Sequence, residues 1–146
     1  MIITAAPTFN SNWVYICHPV SSLGLVKARI LANRASEYVI SKGMLPISSV
    51  RLIGDLIDNN KDYDKAMKWS MDLVHVCNQL WVFSDQLTYG MKQEIEYASS
   101  LGMKIKFVNL VFKYKNPSTK KHCDWVTCED AELFNQHLHF QKFQEV

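Results

Sequence analysis

Glu94 and Glu96, two places apart in "YGMKQEIEYA" (residues 89–98), pose the first chemical question in this chain. At about 100° per residue a helix sends them to nearly opposite sides. With Met91 as origin, Ile95, Ala98 and Leu101 define an apolar arc from about 280° to about 40°. Glu94 lies near about 300°, inside that arc, and Glu96 near about 140°, with Lys92 and Gln93 flanking it. Glu94 is therefore the inward carboxylate. An ionised carboxylate buried without partners is costly, so it needs hydrogen bonds, a proton or a crevice. The helix starts just past an apolar strand, at the edge where open α/β sheets bind ligands. A helix N-terminus also favours the anion that a nucleophile requires. The competing reading is a rim glutamate whose stem covers apolar surface while its head reaches water.

Further candidates gather at the same edge. In "WVYICHP" (Trp13 to Pro19) the period-2 alternation places Tyr15 and Cys17 on one side and Ile16 on the other. Tyr15 is either a donor to a carboxylate at the strand ends or a core tyrosine with a convenient acceptor. His18 and Pro19 close that strand, and Ser84 and Asp85 close the strand before the glutamate helix. Asp85 is a candidate binder of ligand hydroxyls or a plain turn aspartate. Asp72 borders the apolar face of its own helix, which suits a site or a solvated rim. Thr88, Gly90 and Met91 occupy the start of the glutamate helix as candidate substrate contacts. No GxGxxG, GxxxxGK[ST] or GxSxG run occurs, so dinucleotide, P-loop and hydrolase-elbow chemistry lack their motifs.

The elements that must hold these residues alternate between strand and helix. Trp13–Pro19, Met44–Ser48, Gln79–Ser84 and Lys104–Phe112 read as strands. Leu25–Ser41, stopped by Gly43, and Asp62–Val76 read as helices. The second of these has Tyr63, Ala66, Trp69, Ser70, Leu73 and Val76 on one broad face. The glutamate helix runs to about Leu101, with Gly102 as its stop. "VRLIGDLIDNN" is a short helix or an ordered loop, and a last helix is expected around Glu129–Phe140. The expected fold is α/β: a doubly wound, mostly parallel Rossmann- or flavodoxin-like sheet with helices on both faces. Residues 1–12 read as an extended lead-in and 13–146 as one domain.

With 146 residues, 48% of them hydrophobic, and a net charge of +2, the chain reads as an ordinary globular protein. The cations are scattered apart from "KYK" and "TKK", which gives no footprint for nucleic acid. Cys17 and Cys77 sit in apolar runs, where a reduced thiol is expected. A zinc site built on His122, Cys123 and Cys128 lacks a second ligand pair, so no metal and no cofactor is expected. Without a membrane-length apolar run or a signal-peptide pattern, a cytoplasmic location is expected.

"VYICHP", the Asn and Ala of "ANRASEY", "GMLPIS", "CNQLWVFSD" and "GMKQEIEYA" together resemble the nucleoside 2-deoxyribosyltransferase-like superfamily. The nearest match is a small branch found often in bacteria and phages. That branch carries a Y-I-apolar-x-P strand, a C-D-x-L-W-V-F-G strand and a G-M-x-x-E-I-x-x-A helix. The resemblance spans about Trp13 to Val108. It implies that Glu94 attacks the anomeric carbon of a deoxyribosyl group while Tyr15 hydrogen-bonds it. Double displacement with an oxocarbenium-like transition state follows, as in retaining glycosidases. Asn78 stands where the branch has an aspartate, and Thr88 where an acidic residue precedes the nucleophile. Asp72 and Asp85 are then the candidates for the acid that protonates the leaving base. The implied ligand is a nucleoside or nucleotide, and the implied assembly a homo-oligomer. Two further readings stay open: a non-catalytic binder of a nucleotide or nucleotide-derived signal, and an interaction protein using "NQHLHFQKF".

Overall fold

The structure is a computed structural model, and it describes residues 12–54, 61–84, 86–114 and 123–130. The element order is β1 (Trp13–Cys17), α1 (Leu25–Ser41), β2 (Leu45–Ile47), α2 (Ser49–Ile53), α3 (Tyr63–Val76), β3 (Gln79–Val82), α4 (Tyr89–Ser100), β4 (Lys104–Tyr114) and β5 (Cys123–Asp130). Five strands form one sheet in the order β2-β1-β3-β4-β5. The pairs β1–β2, β1–β3 and β3–β4 are parallel, whereas β4 and β5 are antiparallel. The expected α/β class holds, with a mixed sheet.

Alternation along β1 and β3 sorts the core into two layers. Val14, Ile16, Trp81 and Phe83 face α1, which buries Leu31, Ala35, Tyr38 and Val39 against them. Tyr15, Cys17, Leu80 and Val82 face the other way, onto Val74 of α3 and Met91, Ile95 and Ala98 of α4. Central strands covered on both sides need near-continuous apolar sequence, which accounts for "WVYIC" and "QLWVF". Gly43 and Gly102 adopt positive φ just past α1 and α4, the left-handed turn that glycine takes without a Cβ penalty.

Two expectations need correction. The helix read at Glu129 begins instead as strand: Asn109 pairs with Glu129 and Val108 with Asp130. Residues 131–140 of that expected helix, like the 1–11 part of the lead-in, lie outside the described residues. The β4–β5 pair is fixed further by Tyr38 of α1, whose hydroxyl donates to Asp130, with Lys42 Nζ 3.0 Å and Lys106 Nζ 3.6 Å from that carboxylate. On α3, Ala66 and Val74 are the buried positions, whereas Trp69 and Val76 stay about two-fifths exposed at 40% and 43%. The inner face of α3 is rotated toward Met67 and Val74 because part of it borders a cleft rather than the sheet. The short segment after β2 does form a helix, α2, capped by Ser48 Oγ, which accepts from Arg51 N at 3.2 Å.

Candidate active site

At the carboxyl ends of β1, β2 and β3 the chain turns away from the sheet and leaves a cleft of about 280 Å³. Tyr15 and His18 come from β1 and the turn after it, Ser49 from the start of α2, and Thr88 to Met91 from the start of α4. Tyr63, Met67 and Ser70 of α3 complete the wall. Thr88 caps α4: its Oγ1 accepts from Met91 N at 3.2 Å, which fixes where the helix begins. Glu94 follows in the second turn and is 7% exposed, while Glu96 is exposed. The inward and outward assignments of the two glutamates hold.

Tyr15 donates its hydroxyl proton to Glu94 Oε2. Because the phenol has one proton, Ser49 Oγ, 3.3 Å away, is the donor to Tyr15 Oη. Cys17, two residues along the same face of β1, places Sγ 3.7 Å from Glu94 Oε1 and 4.0 Å from Met91 O. Each carboxylate oxygen thus has its own donor. Burial pushes Glu94 up to about 7, against the lowering effect of the Tyr15 and Cys17 hydrogen bonds. Desolvation thus outweighs the helix N-terminus, whose field favours the anion but fades within the first turn. Burial, and next the charge of Glu94, hold both Tyr15 and Cys17 well above their usual ranges, so both remain protonated donors.

His18 is 5% exposed, and burial lowers its pKa, which keeps it neutral at neutral pH. Its Nδ1 lies 2.8 Å from Pro19 O, so Nδ1 carries the proton and Nε2 is left as an acceptor. At Gly90 an added Cβ would sit 3.0 Å from Met67 Cε and 3.7 Å from Tyr63 Oη, which shows how closely α4 approaches α3 here.

Of the residues named from sequence, Tyr15, His18, Thr88, Gly90, Met91 and Glu94 line the cleft. Pro19 is buried beside it, and Ser84 is engaged with Gln86, donating to its carbonyl at 2.6 Å and accepting from its N–H at 3.1 Å. Asp72 is exposed and is not part of the cleft wall, so it is not brought to Glu94. Asp85 lies outside the described residues. Glu94 is the one carboxylate among the described residues of the wall. Asn78, in the position where the resemblance expects an aspartate, bridges the start of β1: its Oδ1 accepts from Trp13 N at 3.1 Å and its N–H donates to Trp13 O at 3.0 Å. Among the described residues no group of three or more His, Cys, Asp or Glu side chains is arranged to hold a metal. His122 is outside them, and Cys128 packs against the α1-side core.

Ser49, Tyr63 and Tyr89 were not among the candidate site residues of the sequence, where Tyr63 counts only toward the apolar face of its helix. The two tyrosines share a signal, since each is the first residue of a helix that follows the ligand-binding edge, α3 and α4 respectively. Tyr63 is 39% and Tyr89 68% exposed at the cleft.

A family model described as a domain of unknown function, DUF7768, matches residues 12–108. No curated protein and no solved structure matches the chain.

Proposed function

The chain belongs to the DUF7768 family, and we propose that it cleaves or transfers the N-glycosidic bond of a nucleoside or nucleotide, with Glu94 as nucleophile. The observation that carries this reading is a buried carboxylate, hydrogen-bonded by Tyr15, in a cleft at the carboxyl ends of parallel strands. It agrees with the roles that the resemblance to nucleoside 2-deoxyribosyltransferase-like proteins implies for the same two residues, and with a Rossmann-like reading of the parallel part of the sheet. The cleft is near the lower end of the ~300 Å³ at which small-ligand sites begin, so it suits a single nucleoside-sized ligand.

A Glu94 carboxylate oxygen bonds to C1′ as the C1′–N bond breaks, and the bond electrons leave with the base, which takes up a proton. We assign that proton to Asp85 or to solvent. Water or a second base then attacks C1′ and returns Glu94 as a carboxylate; with water, the sugar leaves as the free hemiacetal and one proton is released. A carboxyl titrating near neutrality is poised for this cycle, since it ionises to attack without being a strong acid. In this reading the chain works as a homo-oligomer.

The test is incubation with a panel of deoxynucleosides and nucleotides, followed by chromatography of the released bases. Base release by the wild type and its loss in Glu94→Ala is the expected result. Full release by Glu94→Ala overturns the mechanism.

One observation favours a second reading, a nucleotide or nucleotide-signal binder without turnover. Retaining pairs stand about 5–5.5 Å apart, and no second carboxylate lines the wall among the described residues. Thermal stabilisation by a nucleoside with no product would support the binder, because a ligand that binds only the folded state raises its apparent stability.

A further inference from the structure

We propose that Cys17 is a second positioning residue for Glu94, its thiol holding Oε1 while Tyr15 holds Oε2. The inference rests on the reading of Glu94 as the reacting carboxylate for its catalytic meaning, but its geometry stands apart from that reading.

The last torsion of a glutamate is broad and two-fold, so one donor on one oxygen leaves the carboxylate plane free to swing. A donor on each oxygen fixes it. Tyr15 and Cys17 are next neighbours on one face of β1, about 6.6 Å apart along the strand. The strand thus aims two side chains of very different reach at one group on α4: a long phenol meets Oε2, and a short thiol meets Oε1 at 3.7 Å. Cys17 is fully buried at 0% exposure, and its sulfur also lies 4.0 Å from Met91 O, in the helix turn before Glu94. The thiol has one proton, which goes to the charged Oε1; the Met91 carbonyl, an acceptor only, is a packing contact that seats the sulfur against that turn of α4.

Sulfur is a weak donor, so Oε1 is oriented with little loss of basicity. A serine hydroxyl is the stronger donor, and where Glu94 closes in over its shorter bond to Cβ it stabilises the carboxylate further. An alanine removes the donor. These changes move the ionisation of Glu94 in opposite directions, which a merely space-filling Cys17 does not do. The other titratable groups lining the cleft with Glu94 among the described residues are Tyr15 from β1, His18 beyond it, Tyr63 from α3 and Tyr89 from α4. All four are left in place by the variants.

The experiment is infrared titration of the full chain, with the Glu94 carboxyl band assigned by its loss in Glu94→Gln and the Cys17 S–H band by its loss in Cys17→Ala. The expected result is an S–H band that moves to lower frequency as Glu94 ionises and stays still in Glu94→Gln. Cys17→Ser lowers the Glu94 midpoint and Cys17→Ala raises it, each by roughly 0.5–1 pH unit, a threefold to tenfold change in proton affinity. An S–H band indifferent to Glu94, or variants that share the wild-type midpoint, overturns the proposal. If Cys17→Ala does not fold, Cys17→Ser supplies both the band assignment and the midpoint. Base release is measured on the same samples. Shifted midpoints without any base release keep the clamp and remove only the glycosidic reading.

Discussion

Tyr15 and Glu94, 79 positions apart, are joined by a buried hydrogen bond that ties the central strand β1 to helix α4 at the floor of the cleft. Tyr15→Phe keeps the ring and removes the donor, leaving a buried carboxylate oxygen unpaired. Loss of one partner from a buried polar pair costs about 1–3 kcal/mol. Urea unfolding is expected to show this loss at pH 8, where Glu94 is ionised, and a smaller one at pH 5, where it holds a proton. Equal losses at both pH values would show that the bond does not depend on the carboxylate.

The protonation of Glu94 also sets a pH dependence of stability. Burial raises its pKa from the ordinary 4.5 to about 7 in the folded chain. Below the ordinary value both folded and unfolded chains carry the proton, and the full stability is present. As pH rises toward 7 the unfolded chain has released a proton that the folded chain still holds, so stability falls; above that it levels off. At 1.36 kcal/mol per unit this share is on the order of 3–4 kcal/mol. Glu94→Gln is expected to flatten the decline between pH 5 and pH 8, as measured by denaturant midpoints. A decline of undiminished size in the variant assigns it to other groups.

The site was legible from sequence where a short-range period governed it. The helical wheel of residues 89–98 placed Glu94 inward, and strand alternation put Tyr15 and Cys17 on one side, as the structure has them. Ser49 was not legible, because its approach to Tyr15 depends on how α2 docks, and α2 is only five residues long. The buried face of α3 was misjudged for a related reason. Trp69 and Val76 share the apolar face of the helical wheel, but the helix is rotated to form a cleft wall. β5 was missed because "CDWVTCED" ends in acids that resemble a helix start, whereas its pairing with β4 is a long-range property.

Two glycines of the cleft wall should answer differently to alanine. At Gly54 an added Cβ would run into the backbone carbonyl oxygen of Val50, which cannot move without breaking the end of α2. At Gly90 the nearest atom is the flexible end of Met67, at 3.0 Å. Alanine also gains up to about 1 kcal/mol of helix propensity there, because Gly90 lies inside α4. Gly90→Ala is therefore expected to leave stability within about 1 kcal/mol of the wild type, and Gly54→Ala to lose more than that. Thermal unfolding of the two variants side by side checks the order, and the reverse order would contradict the backbone contact.

Tyr89 offers the cleanest test of how the cleft holds a ligand. It is 68% exposed on the first turn of α4, so removing its ring disturbs little of the core. Tyr63, 39% exposed, begins α3 on the other side of the same wall, and its pKa is raised first by burial and next by the nearness of Tyr89. Two aromatic rings at the cleft give a planar base something to stack on, and each such contact is worth about 1–3 kcal/mol. Tyr89→Ala is expected to keep the melting temperature of the ligand-free chain while weakening nucleoside binding roughly 5- to 150-fold. Thermal shift with a nucleoside titration reads both quantities in one experiment. If Tyr89→Ala binds nucleosides as the wild type does, the ring is not part of the site, and the base must be held by Tyr63 and the α3 wall alone.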